Sequence, residues 1–189
     1  MVSGIQIHAI PAARNAAPVT ANAGPNPRAC ASEPTANGAT ALGVATMVKD
    51  DTLSAGVAEV SVDRATGKLE VHNFWTAIDA GLAVQPGNIA AQTEGSIVYG
   101  LGHVLREQIV IANGRVLQTN YTDYEVARMA DVPNIEVRVI STDNPPTGAG
   151  EDGLPLVACA VGNAIATLTG VRLRELPFAP DRVRGALGA

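Results

Sequence analysis

The segment Pro145-Pro-Thr-Gly-Ala-Gly-Glu-Asp-Gly-Leu-Pro155 combines three glycines with two adjacent carboxylates and leads into an apolar run. Three glycines within six residues predict a backbone that turns tightly, adopts a positive φ or lets another group come close. The apolar run from Leu156 to Thr169 predicts a buried helix, and Pro155 suits the first turn of that helix. The carboxylate of Glu151 is therefore predicted to lie just ahead of a helix N-terminus, where negative charge is favoured.

Two interpretations of Glu151 are open at this point. It is either a solvent-facing cap of the helix or a carboxylate that a rigid loop holds in place for proton transfer. The order of glycine, glutamate and proline does not decide between them. The neighbouring Asp152 would raise the pKa of one carboxyl group if both were buried, so we expect Asp152 to point to solvent.

The composition excludes several classes of protein. The chain has 189 residues, a net charge of −5 and no cluster of lysine or arginine, which argues against nucleic-acid binding. No run approaches the roughly 20 apolar residues that a transmembrane helix needs. The two cysteines, Cys30 and Cys159, are too few for a disulfide framework and have no metal-ligating companions nearby. The three histidines form no arrangement with serine or cysteine that is typical of a hydrolase.

The chain divides into a lead over residues 1–45 and a domain over residues 46–189. Alanine, asparagine, proline, threonine and serine dominate the lead, which shows no periodicity. We therefore expect it to be extended or disordered, with order beginning near Ala41. His8 and Arg14 lie in the lead and have no evident partners.

Several elements are predicted within the domain. Alternating residues predict strands over Gly56–Asp63 and Leu69–Ile78, which form a β-hairpin, and another strand over Ile135–Ile140. A helix is predicted over Ile89–Gln108, with Asn88 as its N-cap. The pair Asn113-Gly114 between two apolar runs is typical of a type I′ hairpin turn.

The C-terminal residues complete the predicted fold. Gly170 is expected to end the buried helix, and Val171–Pro177 to form a short edge strand. A terminal helix over Asp181–Leu187 is expected to begin at Pro180. Together the elements predict an α+β fold in which a mixed sheet of hairpins packs with two principal helices.

Short motifs follow one another in a fixed order between Gly56 and Ala186. They are Asp79-x-Gly81 with Pro86, Gln92-x-Glu94-Gly95, Gly100-Leu-Gly102, Leu105-x-Glu107, Asp123-Tyr124, Pro133-x-Ile135-Glu136-Val137, Gly148-x-Gly150-Glu151-x-Gly153-x-Pro155, Ala160-x-x-Asn163-Ala164 and Thr169-Gly170-x-Arg172-x-Arg174-x-Leu176-Pro177. Their order and spacing resemble the xanthine oxidase family, and more narrowly the C-terminal part of its molybdopterin-binding large subunit. The region of Tyr124 and the tail resemble the isoquinoline 1-oxidoreductase β-subunit branch.

The resemblance implies a molybdenum hydroxylase that acts on an aldehyde or an N-heterocycle. Glu151 would be its general base, and Gln92 would hydrogen-bond the pterin through a neutral amide with two donors and one acceptor. Gly95, Gly148 and Gly150 would contact the cofactor, because residues without a Cβ permit a close approach. The implied cofactor is a molybdenum-pyranopterin, either molybdopterin or its cytosine dinucleotide form, and no metal ligand is assigned to this chain.

The resemblance also implies partners. The family's large subunit is several times longer than this chain, and its other cofactor-binding loops have no counterpart here. The remaining molybdopterin-binding segment or subunit and a two-cluster iron–sulfur subunit would be needed for activity. Two functions stay open: a catalytic portion of a molybdenum-dependent oxidoreductase, or a non-catalytic truncated fragment or assembly module that retains the fold. We expect a cytoplasmic location, or a periplasmic one if an exported partner carries the chain, because the N-terminal residues do not read as a signal peptide.

Overall fold

The computed structural model describes residues 39–188, which form a sheet with helices on one of its faces. In chain order the elements are β1 (Thr40–Lys49), β2 (Thr52–Val62), β3 (Leu69–Asp79), α1 (Pro86–Leu105), β4 (Ile111–Ala112), β5 (Arg115–Val116), β6 (Asn134–Ile140), α2 (Leu154–Thr169) and α3 (Pro180–Leu187). The α+β class and the two principal helices, α1 and α2, are confirmed. Among the described helices, none is long and apolar enough to cross a membrane.

The main sheet is mixed and has the strand order β1-β2-β3-β6. Strands β1, β2 and β3 form an antiparallel meander, whereas β6 runs parallel to β3, and α1 lies in the connection between these two strands. The predicted hairpin is β2–β3, and its turn is stabilised by the carboxylate of Asp63, which accepts hydrogen bonds from the N–H groups of Ala65 and Thr66. A register shift lies between Glu59 and Val60.

Helix α2 packs across β1 and β2, and α1 packs against α2 and β6. Gly43 of β1 makes the close approach possible, because a Cβ there would overlap the carbonyl oxygen of Ala160 and the backbone nitrogen of Ala164. The core between sheet and helices is aliphatic, with few aromatic side chains. Its largest fully buried members are Phe74, Ile78, Ile97, Leu101, Leu156 and Ile165.

The asparagine–glycine turn is confirmed. Asn113 and Gly114 have φ values of 51° and 74°, as a type I′ turn requires, and the flanking strands β4 and β5 have two residues each. Gly170 ends α2 in the left-handed conformation, with φ 75°, and α3 begins at Pro180, both as predicted.

Two local predictions are wrong. Helix α1 begins at Pro86, with Gln85 rather than Asn88 at its N-cap, because proline suits the first helical turn, where its missing N–H leaves no bond unmade. Residues 171–177 form no strand. The segment instead crosses the helices, where the N–H of Phe178 donates to the carbonyl oxygen of Val104 at 2.6 Å and the ring of Phe178 is buried.

Most of the predicted lead, including His8 and Arg14, lies outside the described residues. The part that is described belongs to the sheet, because β1 begins at Thr40, before the predicted start of the domain at residue 46. The strand was not recognisable from alternation, since its inward residues include the small Gly43 and Ala45, while the larger Val44 and Val48 face outward.

Candidate functional site

Residues 145–155, here called the glycine loop, are attached first to the segment that follows β3. The N–H of Thr147 donates to the carbonyl oxygen of Ala80 at 2.9 Å. Gly81 has φ +79°, and a Cβ at this position would overlap the carbonyl oxygen of Pro145. The glycine of the Asp79-x-Gly81 motif is therefore required by a left-handed backbone and by the close approach of the loop.

The second attachment comes from the start of β2. The hydroxyl oxygen of Thr52, a residue with no exposed surface, lies 2.7 Å from the carbonyl oxygen of Gly148 and 2.6 Å from the hydroxyl oxygen of Thr147. A threonine has one hydroxyl hydrogen, so Thr52 donates to the carbonyl and accepts from Thr147. The hydroxyl of Ser54 donates to the carbonyl oxygen of Asp152 at 3.1 Å. Strand β2 thus holds the loop on both sides of Glu151.

A buried methyl group makes the third attachment. Ala149 is only 9% exposed and packs with Ile78 and Ala80 in a small apolar cluster beneath the loop. The glycines on either side of it, Gly148 and Gly150, are exposed. The loop therefore presents bare backbone to the outside and a single apolar side chain to the interior.

Glu151 lies just ahead of α2, as predicted. The helix begins at Leu154, with Gly153 as N-cap, and no side chain caps it within the described residues. The Glu151 side chain is 80% exposed, and its Oε2 accepts a hydrogen bond from Nζ of Lys49 at 3.0 Å. That hydrogen bond, followed by the charge attraction, raises the pKa of Lys49. The carboxylate therefore turns to the end of β1 and does not cap the helix.

The prediction that Asp152 points to solvent is wrong. Asp152 is only 3% exposed, and its Oδ2 would lie 3.9 Å from a Cβ built at Gly148. Its side chain lies beneath the loop, and the adjacent Gly153 fits closely against α1, where a Cβ would overlap the hydroxyl of Ser96. Burial raises the pKa of Asp152, and the charge of Lys49 and nearby backbone N–H groups act in the opposite direction.

Helix α1 places Gln92 beside the glycine loop. A Cβ at Gly150 would lie 3.6 Å from Nε2 of Gln92, so the amide lies against the bare backbone next to Glu151. The Gln92 side chain is exposed, and no hydrogen bond engages it within residues 39–188. The predicted cofactor residue and the loop of the predicted base are therefore neighbours.

Three glycines, Gly95, Gly148 and Gly150, are not required by packing among the described residues. They lack a positive φ, and a Cβ at any of them would meet no described atom closer than 3.6 Å. Gly95 faces open space. Gly153 differs, because its close approach to α1 leaves no room for a side chain. Of the three explanations offered for a glycine-rich loop, the approach of a group outside the described chain fits Gly148 and Gly150.

Three supporting residues were not predicted, namely Lys49, Thr52 and Ser54. Their signal in the sequence is weak. Thr52 and Ser54 occupy inward-facing positions of β2, but both are polar. A search for alternating apolar residues therefore does not include them in the strand. Only the structure shows that hydroxyl groups at these inward positions bind the backbone of a loop far along the chain.

Comparison with known families gives a match over part of the chain. Residues 34–133 match the family described as the molybdopterin cofactor-binding domain. The matched region contains Gln92 and Gly95, begins within the predicted lead, and ends before the glycine loop.

Individual relatives extend the similarity. The isoquinoline 1-oxidoreductase subunit beta of Brevundimonas diminuta is 39% identical over 145 residues, which cover 77% of this chain and 19% of that protein. The membrane-bound aldehyde dehydrogenase [pyrroloquinoline-quinone] of Gluconacetobacter polyoxogenes is 39% identical over 151 residues, 77% of this chain and 20% of that protein. The crystal structure of quinoline 2-oxidoreductase from Pseudomonas putida 86 is similar with a TM-score of 0.66 and 26% identity, over 72% of this chain and 19% of that one. This chain therefore spans about a fifth of the length of these proteins.

Proposed function

Because this chain belongs to the family of molybdopterin cofactor-binding domains, we propose that it supplies the general base and one wall of the pterin site in a molybdenum hydroxylase. Glu151 is the base, Gln92 hydrogen-bonds the pterin, and Gly95, Gly148 and Gly150 lie against the cofactor. The substrate is an aldehyde or an N-heterocycle, a class supported by the names of the relatives, which refer to isoquinoline, quinoline and aldehydes. The rest of the large subunit and a two-cluster iron–sulfur subunit complete the enzyme.

The bare surface beside Gln92 carries this proposal. Gly148 and Gly150 have room for a Cβ, and Gln92 has an amide without a partner among the described residues. Gly95 lies within α1, where a glycine costs about 0.5–1 kcal/mol relative to alanine, and the approach of a group outside the described residues would account for that cost. A planar, polar pterin fits an unobstructed backbone edged by two amide donors and one acceptor.

Glu151 is suitably held for proton transfer. The bound cofactor supplies the redox chemistry, and the carboxylate accepts the proton released when the substrate is hydroxylated. A metal ion lowers the pKa of water bound to it, so a carboxylate is basic enough for this role. The 80% exposure of the side chain leaves it accessible from outside the described fold, and Nζ of Lys49 donates a hydrogen bond to it.

Substitution of Glu151 in the assembled enzyme tests the base. Glu151→Gln keeps the shape of the side chain, and we expect turnover to fall roughly 10²- to 10⁴-fold while molybdenum and pterin remain bound. Glu70→Gln, on β3, is the matched control and should retain turnover. Undiminished turnover of a cofactor-loaded Glu151→Gln enzyme would exclude the base role.

Substitution of Gly150 tests the cofactor surface. Gly150→Ala places a methyl group at ordinary contact distance from Gln92, so the fold should persist. If the pterin lies there, the methyl group blocks it, and the molybdenum and pterin content of the purified enzyme should fall. A Gly150→Ala enzyme with full cofactor content would remove this residue from the site.

A second candidate function is the alternative stated above, a non-catalytic fragment or assembly module that retains the fold, because a fold can persist without its activity. Purification together with the products of neighbouring genes, followed by molybdenum and pterin analysis, separates the two candidates. Molybdenum in such a preparation supports the catalytic one, and its absence from every preparation supports the fragment.

A further inference from the structure

We propose that Thr52 is a positioning residue for Glu151, acting through the hydrogen bond from its buried hydroxyl to the carbonyl oxygen of Gly148. The inference rests on the proposed role of Glu151. The hydrogen bonds of Thr52 reach Gly148 and Thr147 and neither Glu151 nor Gln92, so Thr52 acts on Glu151 through the loop.

The hydrogen bonds of the loop show how Thr52 affects the position of Glu151. Thr52 binds the carbonyl of Gly148 and the hydroxyl of Thr147 on the N-terminal side of Glu151, and Ser54 binds the carbonyl of Asp152 on the C-terminal side. Both donors belong to β2, which is held in the middle of the meander by β1 and β3. These hydrogen bonds therefore fix the position of Glu151 relative to the sheet.

The loop has few other attachments among the described residues, namely the hydrogen bond from the N–H of Thr147 to the carbonyl oxygen of Ala80 and the close approach of Gly81 to Pro145. Glycine loses more backbone freedom on ordering than any other residue, and the stretch around Glu151 contains three glycines. The one apolar side chain that anchors it is Ala149, a single methyl group. A misplacement of about 1 Å can reduce catalysis roughly 10²-fold, so hydrogen bonds that fix the backbone here have a large effect on a base.

Three variants separate positioning from general stability. Thr52→Val keeps the β-branched shape and removes the hydroxyl, whereas Thr52→Ser keeps the hydroxyl and removes the methyl group. Thr76→Val is the matched control, because Thr76 is also buried, at 5% exposure, and its hydroxyl donates to a carbonyl of β2, that of Ala55, at 2.9 Å. The control loses the same kind of hydrogen bond at a place that does not touch the loop.

Amide hydrogen exchange in the full chain measures the effect without any cofactor. Two protected amides report on the loop: the N–H of Thr147, bonded to Ala80, and the N–H of Leu154, bonded to Glu151. We expect Thr52→Val to accelerate their exchange about fivefold or more relative to amides in the middle of α2, since one net hydrogen bond is worth about a factor of five. Thr52→Ser should restore slow exchange, and Thr76→Val should change loop and helix amides alike.

The proposal is overturned if Thr52→Val leaves the exchange of the loop amides unchanged relative to amides of α2. It is also overturned if Thr76→Val accelerates exchange of the loop amides as much as Thr52→Val does. In the assembled enzyme, Thr52→Val should lower kcat about tenfold or more, with recovery in Thr52→Ser. If loop exchange responds as expected while Glu151→Gln retains full turnover, Thr52 holds the loop but the base role fails. If Glu151→Gln is inactive and Thr52→Val retains kcat, the base role stands and the positioning role fails.

Discussion

Asp152 and Glu151 are adjacent in the chain, but their side chains lie on opposite sides of the glycine loop. Asp152 is only 3% exposed, whereas the side chain of Glu151 is 80% exposed. The backbone between them separates a carboxyl group that faces the interior from one that faces outward and pairs with Lys49. Lys49 attracts both, through a hydrogen bond to Glu151 and through its charge at Asp152. Two carboxylates side by side therefore have distinct environments.

The buried carboxyl group leads to a prediction about stability and pH. Burial raises the pKa of Asp152 above its ordinary value of 3.8, so the folded chain binds this proton more tightly than the unfolded chain does. Stability is therefore lost as pH rises from 3.8 through the folded pKa. Asp152→Asn removes the titrating group, and we expect it to increase the free energy of unfolding at pH 7. The gain should shrink as the pH approaches 3.8.

Urea unfolding at several pH values between 4 and 7 measures this difference. Asp143→Asn, at an exposed aspartate before the loop, is the control and should change the free energy of unfolding by less than about 0.5 kcal/mol. A parent chain that is more stable than Asp152→Asn at pH 7 would show that the carboxylate itself is stabilising.

The ion pair at the end of β1 gives a second prediction. The hydrogen bond to Glu151 is the largest cause of the raised pKa of Lys49, so Glu151→Gln should lower the pKa of Lys49 towards 10.5. The raised pKa means that the pair stabilises the folded chain below pH 10.5 and loses its effect as pH rises through the folded pKa. Nuclear magnetic resonance titration of the lysine side-chain signals measures the shift.

Asp50 provides the control for this titration. The charge of Asp50 contributes less than Glu151 to the raised pKa of Lys49, so Asp50→Asn should lower that pKa less than Glu151→Gln does. Equal effects of the two substitutions would mean that general negative charge, and not the direct contact, sets the pKa of Lys49.

The elements that the sequence predicts well are those with strong local signals. The turn at Asn113, the left-handed Gly170 and the helix start at Pro180 depend on backbone conformations that few residue types adopt, and all three are confirmed. Strand β1 has no such signal. Glycine is required at position 43 because α2 packs closely against it. This is a tertiary contact, so it leaves no pattern in the local sequence.

The features of the site also include some that the sequence predicts and some that only the tertiary structure shows. The nearness of Gln92 to the loop of Glu151 follows from the resemblance, whose motifs include both residues. Thr52 could not be predicted, because a polar residue at an inward strand position is explained only by a partner 96 positions away. The burial of Asp152 could not be predicted either, because it depends on tertiary packing that spacing along the chain does not encode.

Tyr124 gives a third prediction, at the far end of α1. Its hydroxyl donates to Oε2 of Glu107 at 2.7 Å, and this hydrogen bond is the largest cause that raises the pKa of Tyr124 to about 12. Glu107→Gln removes the charged acceptor, so the pKa of Tyr124 should fall towards 10.0. Ultraviolet absorbance of tyrosinate during an alkaline titration measures it. Tyr124→Phe should remove the component near 12, and persistence of that component would assign it to another tyrosine.

The last prediction compares two glycines under the same substitution. Gly43→Ala places a methyl group against the backbone of α2, which cannot rotate away, so we expect a loss of about 1–3 kcal/mol in the free energy of unfolding. Gly95→Ala faces open space in the middle of α1, where alanine is the better helix former, and should stabilise the chain by about 0.5–1 kcal/mol. Urea unfolding of both variants measures the two changes. A gain at Gly95 would mean that this glycine lowers the stability of the isolated chain, as expected of a residue kept bare for a cofactor, whereas a loss there would show that the described fold itself requires glycine.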